Sequence, residues 1–190
     1  MRLSDLILLL VETNGGKVDG RSIQGLAYLA ARVLRLLSRE PNFRAGLRGP
    51  YSREVIQELS KLTALDFLGE EIKATIMRTA IHTYHLTEDG RRVVKKILMD
   101  HRREYRLTKR FMDEIRGGEM AAAKVHYIIE QNPQLIGEPE RIVCAAEDYG
   151  WTMELDEVYR GLKVLKKLKE MKNEDGVNDE DNDTVPKRQL

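Results

Sequence analysis

Apolar residues recur at helical spacing along most of the chain, and the period shortens to a strand-like one in a single region. Leu3, Leu6, Ile7 and Leu10 mark the inner face of a first helix, with Ser4 placed to cap it and Asn14-Gly15-Gly16 ending it. Lys17-Val18-Asp19-Gly20 reads as a turn or a very short strand. A second helix is expected over about residues 21–38, where Ile23, Leu26, Ala27, Leu29, Ala30, Val33, Leu34 and Leu37 give a broad apolar face. Arg21, Gln24, Arg32 and Arg35 fall on its outer side. Residues 39–51 hold Pro41, Gly46, Gly49 and Pro50 and read as a loop, because glycine and proline both disfavour a helix there. Ser52 stands where an N-cap belongs. Behind it Val55, Ile56, Leu59, Leu62 and Leu65 form the stripe of a third helix over about residues 52–65, with Arg53, Glu54, Gln57, Glu58 and Lys61 off that stripe.

Two β-rich runs follow, Ile72 to Met77 and Ala80 to Thr87, with Arg78-Thr79 as the tip of a hairpin. Thr87-Glu88-Asp89-Gly90 then opens one long helix reaching to about Arg116, with Val94, Ile97, Leu98, Tyr105, Met112 and Ile115 on its inner side. Gly117-Gly118 is the clearest internal break. Three further helices are expected over about 119–131, 138–149 and 153–172, the second opened by Pro139 at a favoured first-turn position. Trp151 lies between the last two and is expected to pin them together. From Asn173 no apolar period remains, and disorder is expected. The fold class is therefore mainly α (α+β). Residues 1–90 form a winged helix-turn-helix with a β-hairpin wing, 91–116 a basic connecting helix, 119–172 a helical region and 173–190 an acidic tail.

Charge refines this picture. The formal net charge of +1 is unevenly spread over the 190 residues: residues 173–183 carry six acids and no base, and the remainder balances 32 basic against 25 acidic residues. Residues 91–110 hold nine lysines and arginines against Asp100 and Glu104. A basic centre attracts polyanions, and an acidic tail competes for the same surface. Cys144 is the only cysteine, which excludes an internal disulfide and any multi-cysteine metal site and fits the reducing cytoplasm. The apolar run at residues 3–11 is far shorter than the roughly 20 residues a bilayer requires.

Three segments carry a family resemblance. Gly20-Arg21-Ser22-Ile23-Gln24-Gly25-Leu26-Ala27-Tyr28-Leu29, Gly49-Pro50-Tyr51-Ser52 and Tyr84-His85-Leu86-Thr87-Glu88-Asp89-Gly90 together resemble the pattern of YwgA-like proteins over about residues 1–95. The middle segment is also similar to one in SocA/Panacea-type antitoxin domains. The resemblance implies a winged-helix fold and a DNA-binding or regulatory role, and it implies no reaction.

Enzymatic chemistry finds little support in the residues. Gly15-Gly16-Lys17-Val18-Asp19-Gly20-Arg21-Ser22 comes within one residue of the phosphate-loop pattern, but Arg21 replaces its lysine and no alternating strands follow. His82 and His85 lie three apart on a strand and point to opposite faces, so they cannot share one ion. No cofactor and no enzymatic activity are expected. A DNA interface is better supplied. Arg53, Gln57 and Lys61 can line the third helix toward a major groove, since arginine suits guanine and glutamine adenine. Lys73 and Arg78 on the hairpin can meet phosphate or the minor groove, and Arg48, with Ser52 ahead of the helix, can add a backbone contact. Arg91, Arg92, Lys95, Arg102, Arg103 and Arg106 can neutralise phosphates. The expected partner is double-stranded DNA, bound by a homodimer formed through the long helix or the C-terminal helices. The alternative is a protein-interaction adaptor or antitoxin-like module that keeps the fold and binds a protein partner through the C-terminal helices.

Overall fold

The structure, a computed structural model, describes residues 1–74 and 80–180, the last six of these as backbone only. The chain is mainly helical and carries two small antiparallel sheets. Its first part runs α1 (Leu3–Thr13), β1 (Lys17–Asp19), α2 (Ser22–Arg32), β2 (Arg44–Gly46), β3 (Gly49–Tyr51), α3 (Arg53–Ala64), β4 (Leu68–Ala74) and β5 (Ala80–Leu86). Helices α4 (Glu88–Asp100), α5 (Arg102–Ile115), α6 (Glu119–Gln131), α7 (Pro139–Glu147) and α8 (Leu155–Glu180) follow, with a 3-10 turn at Pro133–Leu135.

Helix α1 is the hub. Every residue from Leu6 to Val11 is buried, because α2, α3, α4, α5, β1 and β5 all pack against it. An unbroken run of apolar residues suits a helix covered on all sides, where a one-sided stripe would leave cavities in its coat. Ser4 sits inside α1 and makes no cap bond; the first turn is instead tied by the Arg2 guanidinium, which donates twice to buried Asp5 at 3.0 Å. In the larger sheet β5 lies between β1 and β4, with Val18 opposite Tyr84 and Ile72 opposite His82. The three residues from Lys17 to Asp19 are thus an edge strand.

Four further sequence expectations need correction. Helix α2 stops at Arg32, and Val33, Leu34, Leu36 and Leu37 stay buried outside any helix. Arg35 takes a left-handed φ of 54°, and the Leu36 amide reaches back to the Ala30 carbonyl. The expected loop at 39–51 contains the β2–β3 hairpin, in register from Arg44 opposite Tyr51 to Gly46 opposite Gly49. Gly49 adopts φ +146°, a backbone conformation that favours glycine, and a Cβ there would lie 2.5 Å from the Met120 sulfur, which would have to swing aside. The single long helix is two helices, broken at His101 with φ −131° and ψ 50°. Residues 173–180 continue α8, where a disordered segment was expected. The rest of the tail, 181–190, and the hairpin tip bearing Arg78 lie outside the described residues.

Gly117 and Gly118 turn the chain between α5 and α6, and the buried side chains on both sides of that turn belong to one cluster. Helix α6 packs on both α2 and α8. Trp151 is buried between Tyr127 and Tyr149, and its indole N–H donates to the Gly46 carbonyl at 2.6 Å. It therefore fastens the C-terminal helices to the β2–β3 hairpin as well as to each other. Among the described residues no helix is long and apolar enough to cross a membrane.

Candidate nucleic-acid interface

Helix α3 buries Val55, Leu59 and Leu62 and packs on α1 and β4. At 100° per residue these three positions share one side, which turns Arg53, Gln57, Ser60 and Ala64 to the opposite side as a single ridge. All four are exposed. Lys61 flanks the ridge and is held 3.2 Å from Glu58, a surface pair on the same helix worth little in water. Ser60 and Ala64 are small, so a flat or grooved partner can approach the helix closely along its C-terminal half.

The two acids of α3 stand off this ridge. The Glu54 carboxylate accepts from the Asn42 amide at 2.6 Å and from the Ser52 hydroxyl at 3.0 Å, tying the 38–42 segment to the start of the helix. Glu58 is three-quarters or more covered and turned toward Lys61. Neither carboxylate therefore lies between a groove and Arg53 or Gln57.

The remaining sequence-predicted positions fall into separate groups. Ser52 is fully buried. It makes no side-chain cap bond; its backbone N–H and carbonyl both bond the Gln24 amide, so it belongs to the scaffold and not to an exposed contact set. Arg48 is exposed at the turn of the β2–β3 hairpin beside Leu47. Lys73 is exposed on β4, the outer strand of its hairpin. Arg91, Arg92 and Lys95 are exposed on α4, where Arg92 pairs with Glu88 at 2.6 Å and Asp89 at 2.8 Å. Arg102, Arg103 and Arg106 are exposed on α5. Helices α4 and α5 pack on α1, and α5 also on α8, so their cations are carried by elements distinct from the α3–β4 pair.

The start of α2 is fixed by Asp19, whose Oδ1 accepts from the Arg21 amide at 2.9 Å and the Ser22 amide at 3.0 Å. Burial opposes the charge on this carboxylate, but the Ser22 and Arg21 hydrogen bonds outweigh it and hold Asp19 below its ordinary value. On β5, burial and neighbouring Glu70 push the Tyr84 phenol up to about 12, so it remains a neutral donor beneath the hairpin. The Glu71 carboxylate on β4 is lowered by its bond from Lys17 at 2.9 Å, an exposed pair that links β4 to β1.

No protein-family model and no curated protein matches the chain. Among solved structures, the crystal structure of Bacillus subtilis PadR in complex with operator DNA aligns with 92% of this chain and 94% of that chain, at 16% identity and a TM-score of 0.37.

Sequence reasoning passed over Ser60 and Ala64, since small residues carry no chemistry of their own. The helical period marks both, once Arg53 and Gln57 are taken as the centre of the outer face. It also passed over Arg44 and the hairpin it stands on. No periodic signal marks two strands of three residues each.

Proposed function

We propose that residues 3–86 form a winged-helix unit that binds duplex DNA, with α3 in the major groove and the β4–β5 hairpin as the wing, and that the protein regulates transcription through this contact. The YwgA-like resemblance covers the same part of the chain. The observation that carries the reading is the outward ridge of α3. Arg53 and Gln57 are one turn apart, they point away from the core, and the helix's own acids are tied up elsewhere. Those two side chains match guanine and adenine edges, and the small Ser60 and Ala64 admit a groove wall. Lys61, Lys73 and Arg78 contribute phosphate contacts that set the register of the helix. The α4–α5 cations add a salt-sensitive, sequence-independent attraction. A symmetric dimer through the C-terminal helices doubles the contacts on a palindromic site.

The test is duplex binding by the full chain across a salt series, beside Arg53→Ala/Gln57→Ala and Ala64→Glu. Binding that weakens steeply with salt, lower affinity with reduced base preference in Arg53→Ala/Gln57→Ala, and near-complete loss in Ala64→Glu support the reading. Ala64 is exposed, so its glutamate puts a charge on the ridge and leaves the core untouched. Absence of binding at low salt, or unchanged affinity in both variants, rejects α3 as the reading helix.

A further inference from the structure

A cleft of about 780 Å³ opens where the β2–β3 hairpin meets the start of α2, the first turns of α3 and the loop after α7. Its volume lies within the roughly 300–1,000 Å³ typical of small-molecule sites. Three arginines from separate places line it: Arg21 just before α2, Arg44 on β2 and Arg48 at the hairpin turn. Among the described residues, no carboxylate lies within ion-pair distance of any of the three guanidinium groups. Asp19 attracts Arg21 from beyond ion-pair distance, and its Oδ1 already accepts two backbone amides. Tyr51 and Tyr149 add aromatic surface to the same lining, with Arg44 Cζ 5.7 Å from the Tyr51 ring centre.

We propose that this cleft binds a ring-bearing phosphate ester of nucleotide size, its ring on the tyrosines and its phosphate oxygens among the arginines. Three arginines line this one cavity with no carboxylate in ion-pair contact, and a phosphate ester brings up to two negative charges to them and a diphosphate more. The planar guanidinium fork matches phosphate oxygens in pairs, which a point charge does not do. A flat ring suits tyrosine faces and uses the length of the cavity that phosphate alone leaves empty. The site uses neither Arg53 nor Gln57, so it stands whether or not α3 reads DNA.

The protein carries its own reporter for this site. Trp151 is the only tryptophan, it stacks on Tyr149 at 5.2 Å, and it donates to the carbonyl of Gly46; both partners line the cleft. The test is a titration of the full chain with mant-ADP in the absence of DNA, read by energy transfer from Trp151. The expected result is saturable quenching of Trp151 emission that unlabelled ADP reverses, and that adenosine or inorganic phosphate at the same concentration does not. Arg21→Glu/Arg48→Glu, both at exposed positions, should weaken binding at least about tenfold, the scale of one lost charge-assisted hydrogen bond. Arg44→Lys keeps the charge, removes the fork and should weaken binding with the hairpin intact. Three results would overturn the proposal: no saturable signal, unchanged affinity in folded Arg21→Glu/Arg48→Glu and Arg44→Lys proteins, or displacement by inorganic phosphate as effective as by ADP.

Discussion

The side-chain amide of Gln24 closes two hydrogen bonds with the backbone of Ser52: Oε1 accepts from the Ser52 N–H at 2.9 Å, and Nε2 donates to the Ser52 carbonyl at 3.2 Å. Both residues are buried. Gln24 stands on the first turn of α2, and Ser52 is the residue from which α3 starts. One side chain therefore ties the start of the second helix to the start of the third, and the proposed DNA contact of α3 depends on that geometry.

Replacing Gln24 by alanine leaves a buried N–H and a buried carbonyl without partners, each costing about 1–3 kcal/mol. Gln24→Ala is expected to lower stability by about 2 kcal/mol or more, measured as a shift in the urea midpoint at unchanged slope. Ser52→Ala keeps both backbone bonds and loses only the hydroxyl donated to Glu54, so it should cost less than half as much. Equal losses in the two variants would show that the Ser52 backbone bonds are not what holds α2 to α3.

Helices α6 and α8 pack closely at Gly161. A Cβ at that position would sit 2.8 Å from the Ala121 carbonyl oxygen and 2.9 Å from the Val125 Cγ2 atom. A backbone oxygen cannot swing aside, so the two helices must separate. Gly161→Ala is expected to destabilise by about 1–3 kcal/mol and Gly161→Val by more, the usual range for an overfilled interior. Thermal unfolding checks the order. Stability that rises with Gly161→Ala, as helix propensity alone would dictate, would show that α6 and α8 do not touch there.

Much of the helical framework was legible because each amphipathic helix repeats its apolar residues on one face: α3, α6, α7 and most of α8 follow their stripes. Burial without periodicity was not legible. Val33, Leu34, Leu36 and Leu37 are buried just as α2 is, yet they are coil, since an apolar run reports contact with a core and not backbone shape. The break at His101 has no glycine or proline to announce it. The β2–β3 strands are three residues long and end in the glycines that usually signal a loop. Of the candidate interface, Arg53 and Gln57 follow directly from the helical period. Ser52 was misjudged because its partner, Gln24, is 28 residues away. The arginine cleft was invisible for the same reason: its walls come from distant segments.

A part-buried polar chain between α2 and α6 is expected to make stability depend on pH. Tyr28 Oη lies 2.8 Å from His126 Nδ1 and 3.1 Å from Glu130 Oε2. Both contacts are satisfied when neutral His126 donates from Nδ1 to the phenol and the phenol donates to the carboxylate. Burial is the main cause that lowers His126 below its ordinary value; Glu130 opposes it, while Lys169 and Arg32 reinforce it. Burial and Glu130 raise Tyr28, so the phenol stays protonated. In the unfolded chain His126 takes its proton near pH ~6.5, whereas the folded chain takes it only at lower pH. The unfolded state thus binds more protons in that window, and stability falls as pH drops below about 6.5 until the folded histidine protonates too. The slope from this one group is at most about 1.4 kcal/mol per pH unit. Urea midpoints measured between pH ~7.5 and ~5.5 should decline in the native protein and decline less in His126→Gln. Parallel curves for the two proteins would assign the pH dependence to other groups and leave the α2–α6 chain a purely structural contact.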